Sequence, residues 1–194
     1  MRRHPMPAAL LTAIVLASTT VGAQPAYDPV ARIAAQTQVM KTLAWMDGVW
    51  RGPAWTILAN GQKHEVTQTE RIGPSLGGSI KVLEGRSYNA DGTSGFNAFG
   101  VVSVNSKGDG SYILHSYAQG QAGDFQLKAT PDGYVWEIPA GPVTIRYTAV
   151  LKDGVWTEIG EQIALGRDPA KFFQMTLHRV GDSPWPGVGA IPPR

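Results

Sequence analysis

The chain has no cysteine among its 194 residues. This absence excludes disulfide bonds, cysteine nucleophiles, cysteine-ligated zinc and iron–sulfur clusters. Histidine is also scarce, because beyond the N-terminal region only His64, His115 and His178 occur. They lie on three separate predicted strands, and no pair has the i, i+2 or i, i+4 spacing typical of a metal site. We therefore predict that the protein holds no metal ion.

No apolar run is long enough to span a membrane. The apolar run Ala8–Ala17 follows two arginines near the start of the chain and is too short for a membrane helix. Val21, Gly22 and Ala23 then supply the small residues that a signal peptidase recognises. The pattern predicts a secretory signal peptide over residues 1–23, cleavage near Ala23-Gln24, and a periplasmic or secreted mature protein.

The mature chain also lacks an excess of either charge. The signal peptide contains two of the 17 basic residues and none of the 15 acidic ones, so 15 of each remain. These charges are scattered singly, which argues against nucleic acid and against an anionic membrane surface as partners. The remaining 171 of the 194 residues are the length of one domain, and such a chain buries about 70% of its unfolded surface. The oligomeric state stays open.

Helical sequence is limited to one segment near the N-terminus. The pattern predicts a helix over Pro29–Met46, with Asp28 as the N-cap and Gly48 as the stop. Ten strand-like runs follow, separated by turn signals such as Asn-Gly and Asp-Gly. We predict an all-β fold, an antiparallel up-and-down β-barrel of about ten strands preceded by one N-terminal helix, with a two-sheet sandwich as the alternative. The predicted segments are a helical segment over 24–48, a barrel over 49–180, and a Pro/Gly-rich tail over 181–194.

Polar side chains on otherwise apolar strand faces are the main functional signal. Side chains alternate along a strand, so Glu84, Arg86 and Tyr88 share a face with Ile80 and Val82. We predict that this face lines an internal cavity and orients the polar group of a small, mostly apolar ligand. The same argument adds a second set of candidate ligand-binding residues: Glu70, His115, Tyr117, Tyr147 and Glu161. The alternative is that these are outward faces, or that a Glu–Arg pair in the wall is structural.

One segment matches a catalytic sequence motif but lacks the secondary-structure context that the motif requires. Gly73-Pro74-Ser75-Leu76-Gly77 has the G-x-S-x-G spacing of a hydrolase nucleophile elbow. That elbow requires a strand, a sharp turn and then a helix, whereas sheet-like sequence follows here. We interpret the segment as a β-turn and predict no catalytic residues, which favours a binding protein over an enzyme.

The helical segment leads directly into Gly48-Val49-Trp50, and the predicted last strand ends at Arg179. This arrangement resembles the lipocalins and their relatives, in which Gly-x-Trp enters the first strand and an arginine from the last strand covers the tryptophan. The resemblance implies that Gly48, Trp50 and Arg179 close the floor of a barrel.

Segments spread over residues 40–194, from LAWMDGVWRG to FFQMTLHRVGD, resemble a family of exported bacterial proteins of uncharacterised function with a calycin-like barrel. Trp-Arg-Gly at residues 50–52 also resembles the opening of nitrobindin-type haem barrels. The resemblance implies an internal cavity for a small ligand. Haem binding is one alternative, and a solid-cored structural or interaction protein is another.

Overall fold

The structure, a computed structural model, describes residues 28–185. The predicted signal peptide and most of the predicted tail lie outside these residues. Within this part of the chain, no helix combines the length and the apolar character that crossing a membrane requires.

The first element is helix α1, Pro29–Met40. It begins as predicted, because an Asp28 carboxylate oxygen accepts a hydrogen bond from the backbone N–H of Ala31 at 3.0 Å. Proline suits the first helical turn, where its missing N–H leaves no hydrogen bond unmade.

The helical segment extends to Met46 as predicted, but its geometry changes, because residues Lys41–Met46 form a 3-10 helix. Residues three apart lie above one another in a 3-10 helix. Met40, Leu43 and Met46 have this spacing, and all three are buried at 3% exposure or less. The tighter helix therefore directs three apolar side chains into the protein from one short segment.

Ten strands follow, as the sequence predicts. Their bounds are β1 Gly48–Ile57, β2 Lys63–Ser75, β3 Ile80–Tyr88, β4 Ser94–Val104, β5 Tyr112–Ala118, β6 Gln121–Thr130, β7 Gly133–Ala140, β8 Val143–Lys152, β9 Val155–Ala164 and β10 Ala170–Gly181. A three-residue 3-10 turn, Leu76–Gly78, connects β2 to β3. Ser75 thus lies between two strands, and the strand–turn–helix geometry of a nucleophile elbow does not form there.

The strands close into one antiparallel barrel, which confirms the predicted fold class. Each strand pairs with its neighbours in sequence, and β1 pairs with β10 to complete the ring. Short hairpin turns make this order possible. At the β8–β9 turn, Asp153 and Gly154 have φ values of 53° and 76°, the left-handed conformation that a two-residue hairpin of type I′ requires.

One end of the barrel is covered by the helical segment. We call this end the floor, and its buried core consists of Leu43, Met46, Trp50, Trp156 and Leu177. The indole N–H of Trp50 donates to the carbonyl oxygen of Met46 at 2.9 Å, and the rings of Trp50 and Trp156 meet edge to face at 5.6 Å. The opposite end, with hairpin turns at 58–62, 89–93, 119–120, 141–142 and 165–169, is the open end.

The predicted closure residues meet where β1 begins. Trp50 pairs with Arg179 across the β1–β10 seam. The Arg179 side chain donates from Nε to the carbonyl oxygen of Asp47 at 3.3 Å and from Nη2 to Asp182 at 2.6 Å. A Cβ on Gly48 would lie 2.8 Å from Arg179 Nε, so only glycine lets the arginine approach this closely.

Candidate ligand-binding site in the barrel

The strand pairing assigns an inner and an outer face to every strand. Trp50 and Ala54 are buried in β1, and they mark its inner face because side chains alternate along a strand. Directly paired residues share a face, so Glu70, which pairs with Trp50 and with Gly85, also faces inward. We call the inner space above the floor the lumen.

Two carboxyl groups face the lumen directly above the floor. Glu158 of β9 is only 7% exposed, and one of its carboxyl oxygens accepts a hydrogen bond from the hydroxyl of Tyr134 in β7. Glu70 of β2 accepts a hydrogen bond from the amide nitrogen of Gln68 at 2.7 Å. Its carboxyl group rests over Gly85, where an added Cβ would come within 2.8 Å of Oε1.

Burial shifts the pKa values of these groups upward. It raises the pKa of Glu70 to about 8, against the hydrogen bond from Gln68 and with a contribution from the charge of Glu158. Part of Glu70 remains accessible, yet its carboxyl group lies among barrel atoms that replace water. Burial likewise raises the pKa of Glu158 to about 7, while the Tyr134 hydrogen bond lowers it. Burial, followed by the Glu158 charge, raises the pKa of Tyr134 well above its usual value.

An aromatic layer lies on the inner face nearer the open end. The rings of Trp136 and Tyr147 are stacked, with centroids 4.4 Å apart and planes 9° from parallel. Phe125 contacts Trp136 at 5.5 Å, and Phe173 contacts Tyr147 at 6.0 Å. All four residues face inward by their pairing, yet all are only half-buried. Because these side chains face inward and remain partly accessible, solvent reaches this layer from the end opposite the helix.

A glycine makes room for this layer. Gly160 of β9 pairs with Tyr147 and with Phe173. A Cβ at this position would come within 3.0 Å of both of these side chains and of Phe172. The rings therefore fill the space that a side chain at position 160 would take. Burial raises the pKa of Tyr147 to about 12, and the charge of Glu158 makes the second contribution. The aromatic layer therefore lies close enough to this carboxyl group to interact with it electrostatically.

Two of the predicted ligand-binding residues, Glu70 and Tyr147, face the lumen. The expectation that Glu84, Arg86 and Tyr88 also face it is wrong. These three alternate with Gly85 and Ser87, which are buried on the inner face.

On the outer face Glu84 accepts hydrogen bonds from Arg71 at 2.6 Å and from Arg86 at 3.0 Å. Partial burial of Glu84 acts to raise its pKa, but these two arginines hold the pKa below its usual value. The arrangement is the structural Glu–Arg pair that the sequence left open as an alternative.

The remaining three predicted residues are also on the outer face. Tyr117 is 54% exposed, and it alternates with the inner-face residues of β5. His115 shares its face and lies 2.7 Å from the carboxylate of Asp124. Glu161 pairs with Arg146 and with Lys171. The register of each strand, which alternation alone does not fix, decides these positions.

Some of the misplaced residues meet one another outside the barrel. A groove of about 560 Å³ on the outer wall is lined in part by Glu84, Arg86, Phe99 and Tyr117. Beside it, a smaller groove of about 400 Å³ includes Tyr88. Four of the predicted polar residues thus line an outer surface, and Glu70, whose carboxyl group faces the lumen, also borders the smaller groove.

Sequence reasoning missed the second lumen carboxyl and its partner. Glu158 lies between Trp156 and Gly160 at intervals of two, so all three share the inner face. That spacing was present in the sequence, but Ile159 and Ile163 indicated the opposite face. Tyr134 and Trp136 follow the same rule in β7, where the short run gave no contrast between the two faces. Within residues 28–185, no group of three or more His, Asp or Glu side chains is placed to hold a metal ion.

Comparisons with known proteins bear on the fold. No family model and no curated protein matches this chain. Among solved structures, the chain is similar to the crystal structure of Rv2717c from M. tuberculosis, with a TM-score of 0.55 and 15% sequence identity. The match covers 73% of this chain and 96% of that one. At this level of identity the similarity supports the barrel fold alone, so the function is argued from the geometry of the lumen.

Proposed function

We propose that this protein binds a small, mostly apolar molecule in the lumen of its barrel. The observation that carries the proposal is the set of aromatic rings that face inward but stay accessible, directly above two buried carboxyl groups. Ligand pockets are typically apolar, with a few placed polar groups that orient the ligand. The lumen has this composition, and its open end provides the entry path.

A neutral fluorescent probe tests the proposal. N-phenyl-1-naphthylamine brightens when it enters an apolar site, and we expect saturable binding of one probe per barrel. Tyr147→Ala removes a ring from the stacked pair and should weaken binding by about tenfold, which corresponds to roughly 1.4 kcal/mol. Tyr117→Ala is the matched control, because that tyrosine lies on the outer face. Absence of saturable binding would favour a solid-cored structural or interaction protein instead.

The location outside the cytoplasm is part of the same proposal. It is supported by the basic start, short apolar run and small residues over positions 1–23. Edman sequencing of the protein recovered from periplasm or medium should start at Gln24. A chain that retains residues 1–23 and stays in the cytoplasm would contradict this part of the proposal.

We also assign the barrel to the calycin-like group. The assignment is supported by the Gly48-Val49-Trp50 entry, the helix-covered floor and the contact of Arg179 with Asp47. A haem-binding barrel is the second candidate, and one observation favours it. His64 of β2 shares the inner face with Val66 and lies near the open end, with Nε2 3.0 Å from Asn89 Oδ1.

Haem titration separates the two candidates. A Soret band that disappears in His64→Ala but persists in His115→Ala and His178→Ala would support haem as the ligand. If neither the parent protein nor any variant shows a Soret shift, the haem candidate is dismissed while the apolar-ligand proposal stands.

A further inference from the structure

The charges that face the lumen are of one sign. The cross-strand neighbours of Glu70 are Trp50 and Gly85, and those of Glu158 are Ala149 and Met175. None of these neighbours carries a charge. Each carboxyl group instead has one neutral donor, the amide of Gln68 or the hydroxyl of Tyr134. A buried carboxylate without a cationic partner is costly.

The basic side chains of these strands are occupied elsewhere. Lys81, buried on the inner face near the floor, forms an ion pair with Asp47 of the helical segment. Arg71 and Arg86 bind Glu84 on the outer wall. Glu84 carries the same negative charge on the other side of the sheet, and this charge also raises the pKa of Glu70.

The remaining charged and titratable groups near the lumen do not neutralise the two carboxyl groups. Arg179 bonds to Asp182 beside the floor, and His64 contacts Asn89 near the open end. Tyr147, which faces Glu158 from β8, is neutral at ordinary pH because burial raises its pKa to about 12. Between the floor, where Lys81 pairs with Asp47, and the open end, where His64 lies, the described inner-face residues thus include two carboxyl groups and no lysine or arginine.

One buried polar atom at this level has no partner. Glu158 is 7% exposed, and the Tyr134 hydroxyl is its one side-chain donor among the described residues. The indole N–H of Trp156, on the same face two residues earlier and 1% exposed, has no acceptor among them. Its ring lies 6.3 Å from that of Tyr134, the residue bonded to Glu158. A buried indole N–H without a partner needs a hydrogen-bond acceptor. An ammonium group cannot be that acceptor, so only the two carboxyl groups and the aromatic layer point to a cation.

The aromatic layer has the same electrostatic preference as the carboxyl groups. The face of an aromatic ring carries negative potential and attracts cations, most strongly in tryptophan. Trp136 and Tyr147 are stacked beside Phe173 and Phe125, and all four line the route from the open end to Glu158. An anionic ligand such as a fatty acid would meet repulsion from both features.

We propose that the lumen selects a cationic amphiphile, an amine with an aromatic or aliphatic body whose nitrogen binds at Glu70 and Glu158. This inference rests on the proposed function and adds the chemical class of the ligand. The apolar body occupies the aromatic layer, and the ammonium group donates hydrogen bonds to the carboxylate oxygens. Binding moves protons from the carboxyl groups to solvent, because the cation stabilises their ionised forms.

Three ligands with one carbon skeleton test the charge preference: 2-(1-naphthyl)ethylamine, 2-(1-naphthyl)ethanol and 1-naphthylacetate. By titration calorimetry at about pH 8.5, we expect the amine to bind at least about tenfold more tightly than the alcohol, and the acetate to bind most weakly. At about pH 6 the amine should lose its advantage, because protonation of the two carboxyl groups removes their charge. The amine itself stays charged, since alkylammonium pKa values lie near that of lysine, about 10.4.

Matched variants on one strand locate the effect. Glu158→Gln should reduce the affinity for the amine by about tenfold and reduce the affinity for the alcohol by a much smaller factor. Glu161→Gln, on the outer face of the same strand, should change neither. Binding of N-phenyl-1-naphthylamine by each variant shows that its lumen is intact.

The outcomes separate the two proposals. If the alcohol or the acetate binds as tightly as the amine while the neutral probe still binds, the cationic class is overturned and the apolar-ligand function stands. The same conclusion follows if Glu158→Gln and Glu161→Gln weaken amine binding equally. If neither the probe nor any of the three ligands binds, the proposed function itself fails.

Discussion

Tyr134 and Glu158 form a hydrogen bond across an intervening strand. They belong to β7 and β9, and Ala149 of β8 pairs with both of them. Ala149 is fully buried, and its single methyl group lets the two longer side chains meet over it. The row Tyr134–Ala149–Glu158 thus fixes the position of one lumen carboxyl group through a residue that carries no polar atom in its side chain.

Removal of the Tyr134 hydroxyl should weaken the fold. Tyr134→Phe leaves a buried carboxyl oxygen without its donor, and we expect a loss of about 1–3 kcal/mol in the free energy of unfolding at neutral pH. Urea denaturation measures it. Tyr147→Phe is the matched control, because the Tyr147 hydroxyl has no hydrogen bond among the described residues, and its effect should stay within about 0.5 kcal/mol. Equal losses of stability in the two variants would show that the hydrogen bond from Tyr134 to Glu158 does not stabilise the fold.

Stability should fall as the pH rises from about 4.5 to about 8. The pKa of Glu70 is about 8 and that of Glu158 about 7 in the folded protein, against 4.5 for a free glutamate. In this window the unfolded chain binds fewer protons than the folded one, so the free energy of unfolding decreases with pH. The protonated carboxyl groups stabilise the fold fully below about pH 4.5. This stabilisation is lost as the pH rises past about 7 and about 8, the pKa values of Glu158 and Glu70 in the folded protein.

Denaturation at a series of pH values checks this dependence. Glu158→Gln should remove about 3 kcal/mol of the change between the two ends of the window, taking 1.36 kcal/mol for each pKa unit. Glu161→Gln should leave the pH profile as it is. A parent profile that is flat, or that rises over this window, would show that the two carboxyl groups are ionised at little cost.

The first residue of β1 should tolerate no side chain. Gly48 has a φ of 134°, and an added Cβ would lie 2.8 Å from Arg179 Nε and 2.9 Å from the carbonyl oxygen of Gly181. Gly48→Ala should therefore cost about 1–3 kcal/mol in the free energy of unfolding. Gly181→Ala is the control across the same seam, because nothing lies within 4 Å of its added Cβ. A thermal melt that shifts by the same amount in both variants would contradict this account.

The last described residue should contribute to stability from outside the barrel. The Trp185 ring lies 4.2 Å from the guanidinium of Arg71 and 5.8 Å from the ring of Phe99. Trp185→Ala should lower the free energy of unfolding by about 1 kcal/mol. Trp55→Ala, which removes an outer-face ring that contacts Lys63 at 5.2 Å, should have a smaller effect in the same urea titration. A larger loss in Trp55→Ala would contradict the described packing.

The order and number of the strands were predictable because local signals specify them. Turn residues such as Asp153-Gly154 favour the positive φ values of a tight hairpin from local sequence alone. The only helical segment that the sequence predicts precedes all ten strands, so no helix is available between strands to connect a parallel sheet. The bounds of that helical segment were predictable, but its change to 3-10 geometry over Lys41–Met46 was not, because that geometry depends on what Leu43 and Met46 contact in the floor.

The inner face of β3 was not predictable from alternation, because both of its faces are covered. Val82 faces outward yet is only 8% exposed, and the segment that ends at Trp185 crosses the outer wall close by, with its carbonyl oxygen 2.8 Å from a Cβ on Gly73. Lys81 faces inward but is polar, and its charge is matched by Asp47 from the helical segment. Contacts between distant parts of the chain therefore reversed the usual relation between polarity and face.

The seam between β1 and β10 also has a consequence for folding. Trp50 and Arg179 pair although nearly the whole barrel separates them in sequence. A chain that lacks β10 exposes the free edges of β1 and β9, and unpaired strand edges recruit other chains. Ring closure therefore waits for the last strand, and long-range pairing of this kind slows folding. Hairpin pairings close much shorter loops than the β1–β10 pairing does, so we expect the hairpins to form first and the ring to close last.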